Sequence, residues 1–361
     1  MCQQHAAYRW LCGGAPINHD LLSEFRRECA ATLDRLLSQS LTGLIVKKLV
    51  RLEELLIDGT NEPAPAKAGV RAHARRGSMS KRKRLERIEK AVAERVAELK
   101  GELDKDPAEP ERRRKQRALQ AAEERARRVE RAHQKLAELV QEQAKRAKTH
   151  AKEEAEKGEP KVSLSDPEAR SMRLADGAVA PAWNVQVATA NGFIVAIDPT
   201  DRRSDGGLAP GLVETIVERS GRLPQRLLTD TTAMTQDDIV KLTERYPGMT
   251  VYSPPPPERT DVTAETLRKR HWKRRHEPPA VQAWRARMAS EDGQQTYRRR
   301  KLTERAHGII KNRGMSRFLV HGREKVRAVC LLQALALNLG WAHTLRRRLA
   351  VAAALAVPAI A

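Results

Sequence analysis

The chain has 361 residues, a formal net charge of +22 and only 3% aromatic residues. This length suffices for one large domain or two ordinary ones. Charged residues make up 32% of the chain, which places a good share of it in helices that face water on most sides. The positive charge exceeds what solubility requires and predicts a polyanionic partner, with nucleic acid the leading candidate and an anionic membrane surface the second.

Two apolar tracts, residues 328–343 and 349–361, bear on the membrane alternative. We expect neither to span a membrane, because the first is short and contains Gln333 and Asn338, and the second is shorter and contains Pro358. The N-terminal sequence lacks the features of a secretory signal, so a cytoplasmic, nucleoid-associated protein is expected. The four cysteines include no Cys-x-x-Cys pair, which predicts free thiols and no structural zinc.

Residues 1–50 form the first predicted segment, a partial helical region. Asn18 suits the cap of a helix. Apolar side chains recur with helical spacing at Leu21, Phe25, Leu33, Leu36 and Leu37. The second segment, residues 51–79, opens with "LLIDGT", where a buried strand is predicted to end at Asp58 and Gly59.

Residues 80–157 consist mainly of Ala, Glu, Lys, Arg and Leu, with an apolar stripe that breaks at "DKDPAEP". Two long helices, joined by a turn that contains proline and paired as a coiled-coil-like hairpin, explain this pattern. A single solvated or partly disordered arm is the alternative, because many positions of the stripe hold only alanine.

Residues 158–253 are predicted to form the core sheet. Asn191 and Gly192 lie between two β-branched runs, as the turn of a hairpin does. A helix that ends at Gly221, a strand that ends at Asp230, another helix and the strand "MTVYS" follow. This alternation predicts an α/β fold with a mixed sheet covered by helices.

Three segments complete the chain. Residues 254–296 are predicted to form a basic loop insertion that contains proline and tryptophan, residues 297–348 a catalytic helix and a core helix, and residues 349–361 an apolar tail. Trp272 and Trp284 lie among basic residues, where they either stack on unpaired bases or pack in the interior.

The helix near residue 300 carries a single carboxylate among many cations. At 3.6 residues per turn, its polar face spans about 60° and holds Tyr297, Arg300, Glu304 and Lys311. Its opposite face is apolar and holds Leu302, Ala306 and Ile309. An ordinary helical ion pair would explain the glutamate. A carboxylate between two cations also suits a divalent metal ion that binds phosphate.

Asp58 and Asp230 each follow an apolar strand, and the strand ends of an α/β sheet form the edge where ligands usually bind. Together with Glu304 they supply three carboxylates, which can hold two Mg²⁺ ions ~3.5 to 4 Å apart for phosphodiester chemistry. Arg300 and Lys311 would bind the phosphates, and Tyr297 beside them is predicted to belong to the same DNA-phosphate-binding set. Four other acids lie near the predicted sheet and are interpreted mainly as turn or supporting residues: Asp166, Asp176, Asp198 and Asp205.

The spacing Tyr297-x-x-Arg300-x-x-x-Glu304 followed by Lys311 resembles the Tyr-Arg-Glu-Lys signature of bacterial insertion-sequence DDE transposases. "LLIDGT" and "LLTD" resemble the strand ends that carry the first two aspartates of that family. Further agreement comes from "YRWLCGG", "SDPEARSMRLADGAVAPAWNVQVA", "LRKRHWKRRHEP" and "KNRG". The resemblance covers nearly the whole chain and is greatest to the insertion-sequence group numbered eleven eighty-two.

The resemblance implies a ribonuclease-H-like core in which Asp58, Asp230 and Glu304 form the metal-binding triad. It implies Mg²⁺ as the cofactor, with Mn²⁺ as a substitute. The reaction would be hydrolysis at the transposon ends, followed by attack of the freed 3′-hydroxyl on target DNA. The partners would be DNA and a second copy of the chain in the synaptic complex.

The sequence departs from the family pattern at three places. Relatives usually carry a further helical segment ahead of "YRWLCGG", so the sequence is interpreted as an N-terminally truncated copy. The stretch "TTAMT" follows Asp230, and residues 61–63 replace a basic-apolar continuation. A catalytically impaired remnant that only binds DNA is therefore the alternative, and a scaffold built on residues 80–157 is a third hypothesis.

Overall fold

The computed structural model describes residues 6–11, 13–15, 17–65, 79–105, 108–148, 158–257 and 263–355. Its centre is a six-stranded mixed sheet. The strands of this sheet are β1 (Glu54–Pro63), β4 (Arg170–Arg173), β5 (Val179–Ala190), β6 (Phe193–Thr200), β7 (Arg226–Thr229) and β8 (Thr250–Tyr252). Strands β2 (Met79–Ser80) and β3 (Val162–Ser163) form a separate antiparallel pair. The predicted α/β class with a mixed sheet is confirmed.

The strand order is β4-β5-β1-β7-β8, and β6 also pairs with β5. Strands β1, β7 and β8 are parallel, whereas β4 and β6 both run antiparallel to β5. The turn between β5 and β6 is Asn191-Gly192, with φ of 51° and 79°. Positive φ at both positions matches the right-handed twist of a two-residue hairpin. The hairpin prediction is therefore confirmed.

Strand β1 does not end at Asp58, as the sequence predicted, but continues to Pro63. Antiparallel pairing with β5 extends from Leu56 to Pro63, so the backbone groups beyond the aspartate stay hydrogen-bonded. The parallel pairing with β7 does stop here, because β7 ends at Thr229. Asp58 consequently lies at the end of a parallel strand pair but inside its own strand.

Three helices precede the sheet: α1 (Ala6–Leu11), α2 (His19–Glu28) and α3 (Ala30–Val46). Asn18 caps α2, as predicted, and its side-chain oxygen accepts a hydrogen bond from the Asp20 amide. The expected apolar stripe is buried only in part, since Leu33 and Leu37 are covered while three members are exposed. The exposed members are Leu21, Phe25 and Leu36.

Residues 80–157, predicted to hold two helices, contain α4 (Arg82–Leu103) and α5 (Glu109–Ala147) in their described part. Both helices pack against the short sheet, where a small apolar cluster comprises Leu85, Ala132, Leu136 and Val162. This cluster is separate from the two cores of the main sheet. The helix pair therefore extends from the sheet and does not cover it.

Between β6 and β8 the chain forms α6 (Ala209–Ser220), which ends at a left-handed Gly221, and α7 (Gln236–Arg245). The predicted loop at residues 254–296 is wrong for most of its length. That segment contains α8 (Ala264–Arg275), α9 (Pro279–Ala289) and most of α10 (Glu291–Arg298). Its prolines mislead because Pro279 is the first residue of a helix, where the missing N–H costs no hydrogen bond.

The segment that was predicted as one helix around residue 304 is broken into three. A 3₁₀ turn covers Arg299–Lys301, α11 covers Leu302–Ile310, and a π-helical turn covers Lys311–Met315. Leu302 is 63% exposed although it was predicted to face the interior, because the face of α11 that packs inward differs from the predicted one. The buried face of α11 instead holds Thr303, Ala306, His307 and Ile310.

The two faces of the main sheet carry separate apolar cores. Helices α6, α7 and α9 supply the first core, which includes Ile57. The second core includes Ile310 of α11 and buried residues from the first half of α12 (Arg323–Leu355), between Val326 and Leu337. Within the described residues one helix, Arg323–Val351, is long and apolar enough to cross a membrane. The helix is longer than the apolar tract at residues 328–343 that the sequence indicated. Buried side chains of this helix pack in the second core.

Candidate active site

Asp58 and Asp230 are brought together by the parallel pairing of β1 and β7. Ile57 lies opposite Thr229, so the two aspartates are the next pair in the same register. Neighbouring strands are ~4.8 Å apart. Each carboxylate is partly exposed. Their negative charges interact, and the repulsion from Asp230 contributes to raising the pKa of Asp58.

The carboxylate of Asp58 lies in a crowded setting. Burial raises its pKa most, Arg300 opposes this, and the charges of Asp230 and Asp205 raise it further. One oxygen accepts a hydrogen bond from the Gly59 amide at 3.1 Å, and the other lies 3.2 Å from Nη1 of Arg300. This aspartate is therefore partly desolvated and held between like charges and one guanidinium.

Asp230 is positioned by backbone interactions. Its side chain accepts a hydrogen bond from the Thr231 amide at 2.7 Å, which starts a 3₁₀ turn directly after β7. Its carbonyl accepts one from the Ser253 hydroxyl at 2.9 Å, and the Ser253 carbonyl accepts one from the Trp284 indole at 2.9 Å. Trp284 is buried. It thus has the packing role that the sequence left open, and it supports the strand ends that carry Asp230.

Asp205 reaches the same region from the other face of the sheet. One of its oxygens accepts hydrogen bonds from Asn184 at 2.7 Å and from Gln186 at 2.6 Å. A Cβ at Gly59 would overlap both that oxygen and the Gln186 amide. The absence of a side chain at Gly59 therefore lets this third carboxylate come close to Asp58.

His307 of α11 also approaches Asp58, as Arg300 of the preceding 3₁₀ turn does. Its Nε2 lies 3.8 Å from a carboxylate oxygen, and both ring nitrogens are buried without a hydrogen-bond partner among the described residues. Burial lowers its pKa to about 4, and the charges of Lys311 and Arg300 add to this effect. The imidazole is thus neutral near pH 7 and places no further positive charge beside the aspartate.

The two cations of the predicted signature contact acids of β1. Arg300 pairs with Asp58 and its guanidinium lies 6.0 Å from the ring centre of Tyr297. Lys311 pairs with Glu62 at 3.3 Å, although that glutamate is almost fully buried. Burial raises the pKa of Glu62, against the effect of the lysine. In this structure both predicted phosphate-binding groups are held by carboxylates.

Glu304 is exposed on α11, whose buried face is formed by other residues. It follows Arg300 by four residues and precedes His307 by three, positions that share one side of a helix. Both of those neighbours contact Asp58. Within the described residues, Glu304 itself has neither a hydrogen bond nor an ion pair. The ordinary helical ion pair is therefore not formed there.

The carboxylates of Asp58, Asp230 and Glu304 are the predicted ligands of a metal ion. The two aspartates lie side by side, and burial raises the pKa of Asp58 most, with the charge of Asp230 adding to it. A divalent cation would relieve this repulsion. In the part of the chain that the structure describes, no group of three or more His, Cys, Asp and Glu side chains is arranged to hold a metal. Two of the three predicted ligands thus lie together, while Glu304 stays apart.

The remaining candidate residues lie elsewhere. Asp198 of β6 pairs with two arginines of α12, with Arg323 at 2.9 Å and with Arg327 at 3.5 Å. Asp166 is buried and accepts a hydrogen bond from Trp183. Trp272 is largely exposed, and its ring centre lies 4.3 Å from that of His276.

The comparisons with known proteins concern the C-terminal part of the chain. Residues 260–342 match a family model described as the transposase DDE domain. This match supports a DDE transposase. It contains Glu304 and the cations around it, covers less than a quarter of the chain, and excludes both aspartates of β1 and β7. No curated protein and no solved structure matches the chain.

Two residues of the site were missed by the sequence analysis. Asp205 was interpreted mainly as a turn residue. Its approach to Asp58 depends on the packing of the loop after β6 against β5 and β1, which are distant in sequence. The signal for His307 was its spacing, since it follows Glu304 by three residues and Arg300 by seven, which places it on the same side of a helix.

Proposed function

We propose that the protein is a DDE transposase that hydrolyses phosphodiesters at transposon ends and joins the freed 3′-hydroxyl to target DNA. One observation carries this proposal. Asp58 and Asp230 lie side by side at the end of parallel strands, beneath a basic helical segment within the matched transposase DDE region. The net charge of +22 supports DNA as the substrate.

In this proposal Asp58 and Asp230 hold Mg²⁺, or Mn²⁺ in its place, and Glu304 completes the ligand set. When bound, the two ions would activate the attacking oxygen and stabilise the leaving oxygen. The carboxylates supply the hard oxygen ligands that such ions prefer. The Glu304 side chain has no partner among the described residues. Its spacing from Arg300 and His307, which contact Asp58, is the argument that a shift of the helix would bring it closer.

For Arg300 and Lys311 to bind phosphate, each has to leave the carboxylate that it contacts in this structure. Arg300 binds Asp58 and Lys311 binds Glu62, so each is held near the site by a carboxylate. With Asp58 as a ligand of a cation, Arg300 would be available to bind a phosphate oxygen, for which its planar fork is suited. Neutral His307 would exclude water from the inner side of Asp58, and its uncharged ring would not repel a cation bound there.

The finer features of the proposal follow from the same family. We propose a ribonuclease-H-like core, membership of the insertion-sequence group numbered eleven eighty-two, a cytoplasmic location at the nucleoid, and a homodimer that holds two DNA ends during the reaction. The curled mixed sheet with helices on both faces is compatible with that core. The division of the chain into segments likewise stays a prediction.

The test is cleavage of a supercoiled plasmid that carries this coding sequence with its flanking genomic DNA. We expect Mg²⁺-dependent breaks that EDTA abolishes. Asp58→Asn, Asp230→Asn and Glu304→Gln should each lower the rate by about 100-fold or more, at least about 2.7 kcal/mol of barrier. DNA binding should remain. Asp198→Asn is the matched control, because its partners are Arg323 and Arg327, and it should cleave normally.

A second function is favoured by the absence of a three-carboxylate metal group among the described residues. The chain would then bind DNA without cutting it. Such a protein would show salt-sensitive binding and no metal-dependent breaks, and the three substitutions would leave every measured property unchanged. Cleavage that persists in Glu304→Gln would refute the proposed role of Glu304 as a metal ligand.

A further inference from the structure

A groove of about 330 Å³ lies beside the candidate site, between the start of β1, the β5–β6 turn, α11 and α12. Its lining is rich in arginine, with Arg51, Arg226, Arg299 and Arg305. The carboxylates in the lining are Glu53 and Glu54. Neither the transposase match nor the predicted signature assigns a role to this groove, although Arg299 and Arg305 lie within the matched residues.

One wall of the groove is a tryptophan with two stacked arginines. The guanidinium of Arg305 lies 4.1 Å from the ring centre of Trp341, and that of Arg348 lies 5.7 Å from it. Arginine stacks on aromatic faces and keeps its N–H groups available at the edge of the guanidinium. Trp341 and Arg348 are seven residues apart on α12, so they lie on the same side of that helix.

The tryptophan is fixed in place by the hairpin turn. Its indole N–H donates a hydrogen bond to the Asn191 carbonyl at 3.2 Å, and the ring lies directly over Gly192. Its ring centre is 6.4 Å from that of the fully buried Phe193. A side chain held at its edge and base gives both arginines a rigid support. Less conformational entropy is therefore lost when these arginines bind a ligand.

The charges of the groove are not fully balanced. Glu54 pairs with Arg299 at 3.0 Å and lies 3.9 Å from Arg226. In contrast, Arg305 and Arg348 have no ion pair with any residue that the structure describes. The groove therefore offers Arg305, and Arg348 stands next to its lining on the same tryptophan. Neither cation has a carboxylate partner among the described residues. An anion with repeated charges fits this arrangement better than a single small one.

The position of the groove indicates which polyanion. Glu54 and Leu56 of its lining are four and two residues from Asp58 along β1, which corresponds to about 14 and 7 Å. Stacked nucleotides rise 3.4 Å per residue of one strand. The groove thus begins about two nucleotides from the aspartates and extends about four nucleotides away.

We propose that this groove binds the phosphate backbone of the DNA strand leading away from the reacting phosphodiester, with Arg305 and Arg348 on Trp341 as its anchoring cations. This inference rests on the proposed function, since it takes DNA as the substrate. Trp341 acts through the two arginines that it supports and is a positioning residue.

The experiment compares two double variants of the full chain. Arg305→Gln/Arg348→Gln removes the stacked cations, whereas Arg346→Gln/Arg347→Gln removes two exposed arginines of α12 for which the structure gives no ring contact or ion pair. Both pairs lower the net charge equally. Affinity for a fluorescent duplex is measured by anisotropy between 50 and 300 mM KCl. The thermal unfolding of each variant shows whether it is folded, and single Arg348→Gln serves as the milder substitute.

We expect the salt slope of log Kd to fall by about 1.8 in the first variant, two phosphate contacts at about 0.9 each, and affinity to fall about tenfold or more. The control should change far less. Equal changes in both double variants would overturn the groove. Wild-type protein that binds with the expected salt dependence and loses it only in the first variant, yet never cleaves the plasmid, would refute the transposase reaction and leave the groove standing. Absence of DNA binding in wild type would refute both.

Discussion

Gly59 shows how one missing side chain can shape a site. It follows Asp58 on β1, and its Cα is covered by Asp205 and Gln186, which are hydrogen-bonded to each other. Interiors are close-packed, so an added methyl group has to displace its neighbours. The sequence suggested a turn glycine here, whereas the structure uses it for close packing across the sheet within a regular strand.

Gly59→Ala is expected to lower the free energy of unfolding by about 1 to 3 kcal/mol, because the methyl group overlaps Asp205 and Gln186. Cleavage should fall as well, since Asp205 has to move relative to Asp58. Gly101→Ala is the control, with nothing near its Cβ and a helical position in α4, and it should stabilise by roughly 0.5 to 1 kcal/mol. Urea unfolding measures both. Equal effects would contradict the packing role.

Asp166 makes the stability of the fold depend on pH. Its carboxylate is buried and accepts hydrogen bonds from the Trp183 indole at 3.0 Å and the Gly322 amide at 3.1 Å. Burial raises its pKa to about 6 from 3.8. The folded pKa is thus above the unfolded one. The stability from the protonated acid is complete below pH ~3.8 and is lost as the pH rises to about 6.

Asp166→Asn removes this titration. The advantage of wild type over the variant in free energy of unfolding should therefore shrink by an amount on the order of 3 kcal/mol between pH 4 and pH 7. The comparison is made by urea unfolding at several pH values, so that the titrations shared by both proteins cancel. Parallel stability curves for the two proteins would show that burial does not perturb this acid.

At the scale of elements, the site depends on how α11 and the π-helical turn after it pack on β1. Arg300, in the 3₁₀ turn before α11, binds Asp58. Lys311, in the π-helical turn after it, binds Glu62. Asp58 and Glu62 are four residues apart on the same face of β1. These two ion pairs fix the helix along the strand and thereby determine where Glu304 lies between them.

Lys311 has an ion pair with Glu62 and a proposed phosphate contact, and a double variant can separate the two. Lys311→Met leaves the buried Glu62 carboxylate without its cation and should destabilise by about 1 to 3 kcal/mol, discounted for the partial exposure of the lysine. Glu62→Gln/Lys311→Met removes both charges while the Thr60 hydroxyl can still donate to residue 62. Its stability should return close to that of wild type.

Cleavage gives the second measurement on the same variants. If Lys311 binds phosphate, the double variant should regain stability but stay impaired in plasmid cleavage. Recovery of both properties together would show that Lys311 has only a structural role. Glu62→Gln alone is the control, because it keeps the lysine and should retain cleavage.

At the scale of the whole molecule, the sheet separates two cores and brings the acids to one edge. The first core packs under α6, α7 and α9, and the second under α11 and α12. The helix pair α4 and α5 stands apart with its own small cluster, tied to the sheet by pairs such as Lys135–Asp201 at 2.9 Å and Arg170–Glu142 at 2.6 Å.

Short-range rules in the sequence predicted a large part of this architecture. The Asn191-Gly192 turn, the Gly221 helix end and the Asn18 cap each depend on one or two residues, and all three are observed. The helices of residues 264–298 were missed because prolines and a high charge density resemble loop composition. Packing against β8 and burial of Trp284 decide that segment, and neither is encoded locally.

The sequence by itself determined the α/β class, the basic character and the choice of Asp58, Asp230 and Glu304 as candidates, because these follow from composition, periodicity and spacing along the chain. The tertiary structure decided which of them meet. Parallel pairing of β1 and β7 joins the two aspartates, the 3₁₀ and π turns set the angle of Glu304, and close packing at Gly59 admits Asp205. Contacts between residues far apart in sequence depend on register and packing across the whole fold, which no local pattern specifies.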